Sequence, residues 1–491
     1  MSPSASATSS SQYDWVFRSA RIIDGTGGPS YIGDVAVLGD QITAVEPIGV
    51  IPANAGANEI DLEGLALAPG FIDAHTHDDR IVLDAPEMLP KISQGVTTVV
   101  VGNCGISLVP VQFAKAPPPP MNLLGGPEAY QFPTFAAYAD AVATAKPSVN
   151  VAALVGHSAL RLAVMEDISG KANTDEIALM AEKLIEAMRH GAVGWSTGLF
   201  YPTNAGADAD EVAQLGRRVA QYGGVYATHM RDEFENVLDS IDESVATAKA
   251  AGTPLIISHH KCAGVENWGR TTQTLPKIEA AACDYKINFD VYPYAAGSTN
   301  LRADLVTDTY PIMIAWSRPY PEMTGRYLID IAEDWGLDLD ATAERLQPAG
   351  AIYFQMDEAD VRRVLSSPLS IIGSDGLPHD DHPHPRLWGT FPRVLGHYAR
   401  DIKLFSLETA VHKMTGKTAA VFGLTNRGTL EAGKFADLVA FRPEEVLDLA
   451  TYERPTVPSR GIAWVMVNGV MSFNPDAPQS GRAGRLISGD R

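Results

Sequence analysis

The sequence predicts an α/β protein: a (β/α)8 TIM-like barrel, a small β-sandwich domain built from both chain termini, and an inserted lid subdomain. Three observations carry this expectation. Helical and strand-like stretches alternate through the middle of the chain, short glycine-punctuated strands occupy both ends, and one long irregular stretch breaks the alternation.

Residues 1–12 are rich in Ser and Ala, lack the basic and apolar segments of a secretory leader, and read as a disordered tail. Short strands follow over 16–23, 34–38 and 41–45, split by turns at Gly27-Gly28, Gly33 and Gly39-Asp40. Residues 428–430, 436–441 and 462–469 have the same texture, so the predicted sandwich comprises 13–65 together with 418–480. It encloses a predicted barrel over 66–417, whose first strand is the apolar run 65–74. Asn173 or Thr174 caps a helix in which Ile177, Met180, Leu184, Ile185 and Met188 keep helical spacing up to Gly191. A strand at 192–196 follows. Helical stretches near 212–218, 235–250 and 275–282 then lead into strands at 225–229, 255–259 and 287–292. So many such units in series favour a closed barrel over an open sheet. Between 295 and 357 the rhythm fails; two tryptophans, several prolines and a helical run near 327–337 predict the lid.

Composition narrows the function. The 491 residues are 45% hydrophobic and 20% charged, enough for a large core. A net charge of −21 argues against nucleic acid or an anionic membrane as partner, because both need a concentrated basic surface. No apolar run approaches the ~20 residues of a membrane-spanning helix. Three cysteines are too few for a disulfide framework and fit a reducing, cytoplasmic setting; Cys262 and Cys283 read as inert buried filling.

The chemistry gathers at predicted strand ends. His75 and His77 stand two residues apart on a strand, so both imidazoles face one side and can grip one metal. Cys104, His229, His259 (with His260) and Asp375 close four further strands. In a barrel these ends meet at one rim, which makes a metal site the expectation. Cys104, in the Gly102-Asn103-Cys104-Gly105 turn, favours zinc over magnesium or calcium because thiolate is a soft ligand. A nucleophilic role for it would need a base that the histidines, if committed to metal, do not supply. His157 stands at another possible strand end with its role open, and His190, His397 and His412 read as helix or surface residues. His379, His382 and His384 belong to a rim loop that either lines the site or is solvated.

With these blocks in view, the chain resembles the amidohydrolase superfamily and, within it, the N-acyl-D-amino-acid deacylases, over about 14–484. The carrying blocks are Pro69 to Asp79, Gly102 to Ser107, Tyr226 to Glu233, Ile257 to Lys261 and Gly373 to Asp380. The resemblance implies zinc held tightly by Cys104, His229 and His259, with His75, His77 and Asp375 forming a second, weaker position. Cys104 would replace the carboxylated lysine that bridges two metals in many superfamily members. Lys261, Tyr292, Ser298 and Arg386 would hold the carboxylate of an N-acyl amino acid substrate, and Phe200, Tyr353 and Met356 would line its side-chain pocket, with Thr307 where a more apolar residue is expected. Asp375 would serve as general base and acid. Preference for the D-enantiomer is implied by the resemblance alone. Rival readings are a deacylase of N-acyl-D-glutamate or N-acyl-D-aspartate, an enzyme acting on other amides, and a non-catalytic scaffold of the same fold.

Overall fold

The computed structural model describes residues 11–477 and 481–489. Apart from Ser11 and Gln12, the predicted tail lies outside the described residues, as does the 478–480 end of the predicted sandwich.

Eight parallel strands follow one another in chain order: β1 (Phe71–Asp73), β2 (Val96–Val101), β3 (Asn150–Gly156), β4 (Gly194–Gly198), β5 (Val225–His229), β6 (Leu255–Ile257), β7 (Ile287–Val291) and β8 (Ser370–Ile372). The seam between first and last is closed just beyond the strands. Ala74 N donates to Ile372 O at 3.1 Å, Asp375 N donates to His75 O at 2.8 Å, and Thr76 pairs with Gly376. Inward-facing Ile72, Val100, Leu154, Val225, Ile256 and Ile371 fill the interior, joined by Ala419 and Phe422 of the Gly416–Phe422 helix. That helix thus packs with the barrel, although 418 had been the expected start of the sandwich. Of the flanking helices, Thr174–Arg189 shows how local sequence sets an element. Asn173 accepts from the Asp175 and Glu176 N–H groups while Glu176 returns a bond to the Asn173 backbone, a reciprocal cap of otherwise orphaned donors.

Strands from both chain ends form one mixed sheet in the order Val470–Phe473, Ile462–Val467, Leu438–Phe441, Ala66–Pro69, Tyr13–Ile22, Tyr31–Leu38, Gln41–Glu46, with Gly56–Asp61 also on Tyr13–Ile22. The sheet curls upon itself: Phe17 stacks on Trp464 at 4.7 Å although two strands separate theirs. Residues 428–430 are a turn and not a strand; Gly428 has φ +86° and Leu430 N donates to Asp24 O. The apolar run 65–74 is two strands, not one. Ala66–Pro69 pairs within the curled sheet and Phe71–Asp73 opens the barrel, so the chain crosses between the two at Gly70. A Cβ at Gly70 would lie 2.2 Å from the Thr97 side chain, so only glycine fits this close approach. Cys262 is buried as expected, but Cys283 is exposed.

Between β7 and β8 stands a separate three-stranded antiparallel sheet, with Ala349–Tyr353 between Gly297–Asn300 and Ile312–Ser317, and helices Leu328–Trp335 and Leu339–Leu346. It has its own core of Leu301, Ile314, Leu328, Ile331, Leu346 and Ala351. Among the described residues no helix is long and apolar enough to cross a membrane.

Candidate active site

The carboxyl ends of β1, β2, β5, β6 and β8 deliver His75 and His77, Cys104, His229, His259 and Asp375 to one buried cluster. Two groups have ligand atoms within 4.8 Å of one another: His75, His77, Cys104 and Asp375, and Cys104, His229 and His259. Cys104 belongs to both. Its Sγ lies 3.2 Å from His75 Nε2 and 3.4 Å from His259 Nε2, and Asp375 Oδ1 lies 3.2 Å from His77 Nε2 and 3.4 Å from His75 Nε2. Cys104, His259 and Asp375 have φ of 55°, 36° and 51°. Left-handed backbone at non-glycine residues costs on the order of 1–3 kcal/mol each, so the fold accepts strain at half of this set to aim the side chains inward.

Two carboxylates support the imidazoles from behind, and sequence reasoning gave neither a role. Asp290 on β7 lies 3.1 Å from His75 Nδ1 and accepts the His259 N–H at 2.9 Å. Glu233 lies 3.0 Å from His259 Nδ1. At His75 the carboxylate at Nδ1 turns the Nε2 lone pair toward a metal, whereas His259 Nδ1 also faces Lys261 Nζ at 2.8 Å. A signal for Asp290 did exist: it is a lone acid in the otherwise apolar strand end Phe289-Asp290-Val291, and an unpaired charge is not buried there without a task.

The electrostatics suit a cation. Burial, with Lys261 next in effect at His259, holds His229 and His259 well below the usual histidine range, so both are neutral and able to ligate. Burial opposes ionisation of Asp375, but Arg386 and then His75 and His77 hold its carboxyl well below the usual range. Burial pushes the Cys104 thiol up to about 11, a value that coordination to a metal would overturn. Both ring nitrogens of His229 are buried without a hydrogen-bond partner. An orphaned imidazole amid thiol, histidine and carboxylate fits zinc.

One wall of the cleft is cationic and phenolic. Lys261 Nζ lies 2.7 Å from both Glu233 oxygens, and Arg386 Nη1 lies 2.9 Å from Asp375 Oδ2 beneath the Tyr292 ring. Arg386 Nη2 donates to Ser298 O at 3.2 Å, while Nε and Nη1 make no hydrogen bond. Phe200, Tyr353, Lys261, Tyr292 and Ser298 line the cleft, together with Leu123, Phe234, Leu305 and Leu377. Met356 stands next to this lining, its Sδ 4.0 Å from the Tyr292 phenol oxygen. Thr307 lines an outer groove next to the cleft.

The remaining histidines separate. His157 is fully buried, with Nε2 2.9 Å from Glu211 Oε1, in a cluster with Arg161 away from the cleft. His384 is buried as well, so this part of the rim loop is not solvated. His382 Nε2 donates to Tyr452 O at 2.6 Å.

The fold and this cluster together define a class: the chain belongs to the amidohydrolase family, whose model matches residues 58–343 and 322–473. Within it, the D-aminoacylase of Alcaligenes xylosoxydans xylosoxydans is 49% identical over 483 residues, covering 98% of this chain and 99% of the relative. The N-acyl-D-aspartate deacylase of the same organism is 47% identical, covering 97% and 95%. A crystal structure of D-aminoacylase superposes with TM-score 0.94 at 48% identity, covering 97% of this chain and 100% of that one. The N-acyl-D-glutamate deacylase of Bordetella bronchiseptica, solved with zinc and a phosphonate mimic of the tetrahedral intermediate, gives 0.93 at 43% identity, covering 97% and 99%.

Proposed function

We propose that this chain hydrolyses N-acyl-D-amino acids with neutral, apolar side chains, releasing a carboxylate and the free D-amino acid, at a zinc held chiefly by Cys104, His229 and His259. The observation that carries this reading is the sharing of Cys104 between two metal-competent groups beside a wall that can take a carboxylate. His75, His77 and Asp375 would provide a second, weaker position. Zinc bound here would lower the pKa of a water to about 7 and polarise the scissile carbonyl. Asp375, kept ionised by Arg386, takes the proton from the attacking water and passes it to the leaving nitrogen. Arg386, whose Nη1 is paired with Asp375, offers its unpartnered Nε to the substrate carboxylate, with Tyr292 and Ser298 beside it. Lys261 adds positive charge that Glu233 already balances.

A neutral side chain is favoured over the acidic ones named for two relatives. The cleft around Phe200, Phe234, Leu305 and Tyr353 is apolar, and its one lysine is committed to Glu233. Arg302, in the adjoining groove, is paired with Asp304. The test is a hydrolysis screen of N-acetyl-D- and L-leucine, methionine, phenylalanine, aspartate and glutamate, with zinc analysis before and after chelation. The reading expects D-selective hydrolysis of the apolar members and loss of activity with the metal. Preferred turnover of D-aspartate or D-glutamate derivatives, or activity in metal-free protein, would reject it.

A further inference from the structure

The long connection between the Leu438–Phe441 and Ile462–Val467 strands leaves the curled sheet and reaches the barrel rim. There Tyr452 meets the loop that carries Arg386. Its carbonyl accepts from His382 Nε2, its hydroxyl lies 3.3 Å from His384 Nε2, and its ring packs against Phe354 at 4.7 Å. His384 sits between two phenol rings, with centroids 5.2 Å from Tyr294 and 5.1 Å from Tyr452. Its Nδ1 accepts the Arg386 backbone N–H at 3.0 Å. A nitrogen that accepts from an amide carries no proton, so the imidazole proton is on Nε2 and points at the Tyr452 oxygen.

We propose that His384 is a positioning residue for substrate recognition: its Nδ1 fixes the backbone of Arg386 and so the aim of the guanidinium, while its Nε2 faces Tyr452 of the connection from the terminal sheet. This rests on the carboxylate clamp proposed above. The side chain of Arg386 is fully buried, and it is the first residue of the Arg386–Arg393 helix. Its reach is therefore set by how the helix start is anchored, and the His384 bond is the anchor two residues upstream. His384 is itself a member of neither the metal-competent cluster nor the lining of the cleft, and it meets the cleft wall through Arg386.

The test compares the zinc-loaded wild-type protein with His384→Leu, His384→Asn and Tyr452→Phe on two probes, N-acetyl-D-methionine and its uncharged carboxamide. Asparagine keeps an acceptor for the N–H two residues on, as in an Asx turn, whereas leucine removes it. In His384→Leu, KM for the acid should rise about fivefold, the scale of one lost hydrogen bond, while kcat, zinc content and kcat/KM for the carboxamide stay within about twofold. Tyr452→Phe should move the same way by a smaller factor, and His384→Asn should restore KM to within about twofold of wild type. An unchanged KM for the acid in His384→Leu, or equal losses on both probes, would overturn the proposal. Arg386→Ala on the same probes separates the two layers. If it discriminates acid from carboxamide and His384→Leu does not, only the positioning role falls; if it does not discriminate, the clamp falls and the positioning role with it.

Discussion

Glu211 offers a stability test independent of the active site. On the Ala209–Ala220 helix, it is 1% exposed and accepts from His157 Nε2 at 2.9 Å, Arg161 Nη1 at 2.5 Å and Ala172 N at 3.0 Å. Arg161 is fully buried, and its other donors go to the carbonyls of Thr203, Ile168 and Gly170. Burial opposes the charge on Glu211, but His157 and then Arg161 and the Ala172 amide hold its carboxyl down to about 2, from an ordinary 4.5. That difference, at about 1.4 kcal/mol per pH unit, corresponds to roughly 3 kcal/mol of native-state stabilisation. It agrees with the ~3–5 kcal/mol lost when one partner of a buried ion pair is removed. A Glu211→Gln variant, compared with wild type by urea unfolding at neutral pH, should therefore be less stable by about 3 kcal/mol. The sign of the pH effect is fixed. A depressed carboxyl contributes fully above its unfolded value and loses the contribution as pH falls through its folded value. The gap between the two proteins should be present at pH 7 and be lost toward pH 2, with His157, which Glu211 holds up against burial, titrating in between. Hydrolytic activity and zinc content of the folded variant should match wild type. Equal stability at pH 7, or a gap that does not change on acidification, would show that the cluster does not carry this energy.

Three predictions concern the catalytic cleft. Asp375→Ala should abolish turnover while zinc stays bound, as judged by metal analysis of the dialysed protein; near-normal turnover would remove Asp375 as the base. Arg386→Ala should chiefly raise KM for the anionic substrate, by at least about tenfold for a lost charge-assisted bond, and an unchanged KM would count against the clamp. Asp290→Ala should weaken zinc binding by about 10–100-fold, because it releases both His75 Nδ1 and the His259 backbone; competition with a chelator measures this, and wild-type affinity would refute it.

The candidate metal cluster was legible because its residues close apolar runs, and a barrel brings all such ends to one rim. Residues supporting those ligands were harder to see. Asp290 and Glu233 act across strands, His75 to β7 and His259 to the segment after β5, and no spacing in the chain records a contact between elements. The error at Gly70 has a different origin. The residues on both sides of the crossing are buried and apolar, so periodicity carries no mark of the change of sheet. The Gly56–Asp61 strand was passed over because its largely polar sequence gives no hydrophobic signal; it is held by parallel pairing with Tyr13–Ile22.

The crossing at Gly70 also determines how this molecule can be divided. Five residues downstream stands His75 and seven downstream His77, on the same length of chain that, one residue upstream, is bonded into the terminal sheet. Phe71 N donates to Gly95 O while Gly70 N donates to Asp437 O, so the junction is pinned from both sides. No cut near this point leaves a self-sufficient catalytic fragment. Trimming the chain ends would free the strand whose far end presents the paired imidazoles, and an exchange of the terminal sheet with a relative's would need its graft point well away from Gly70.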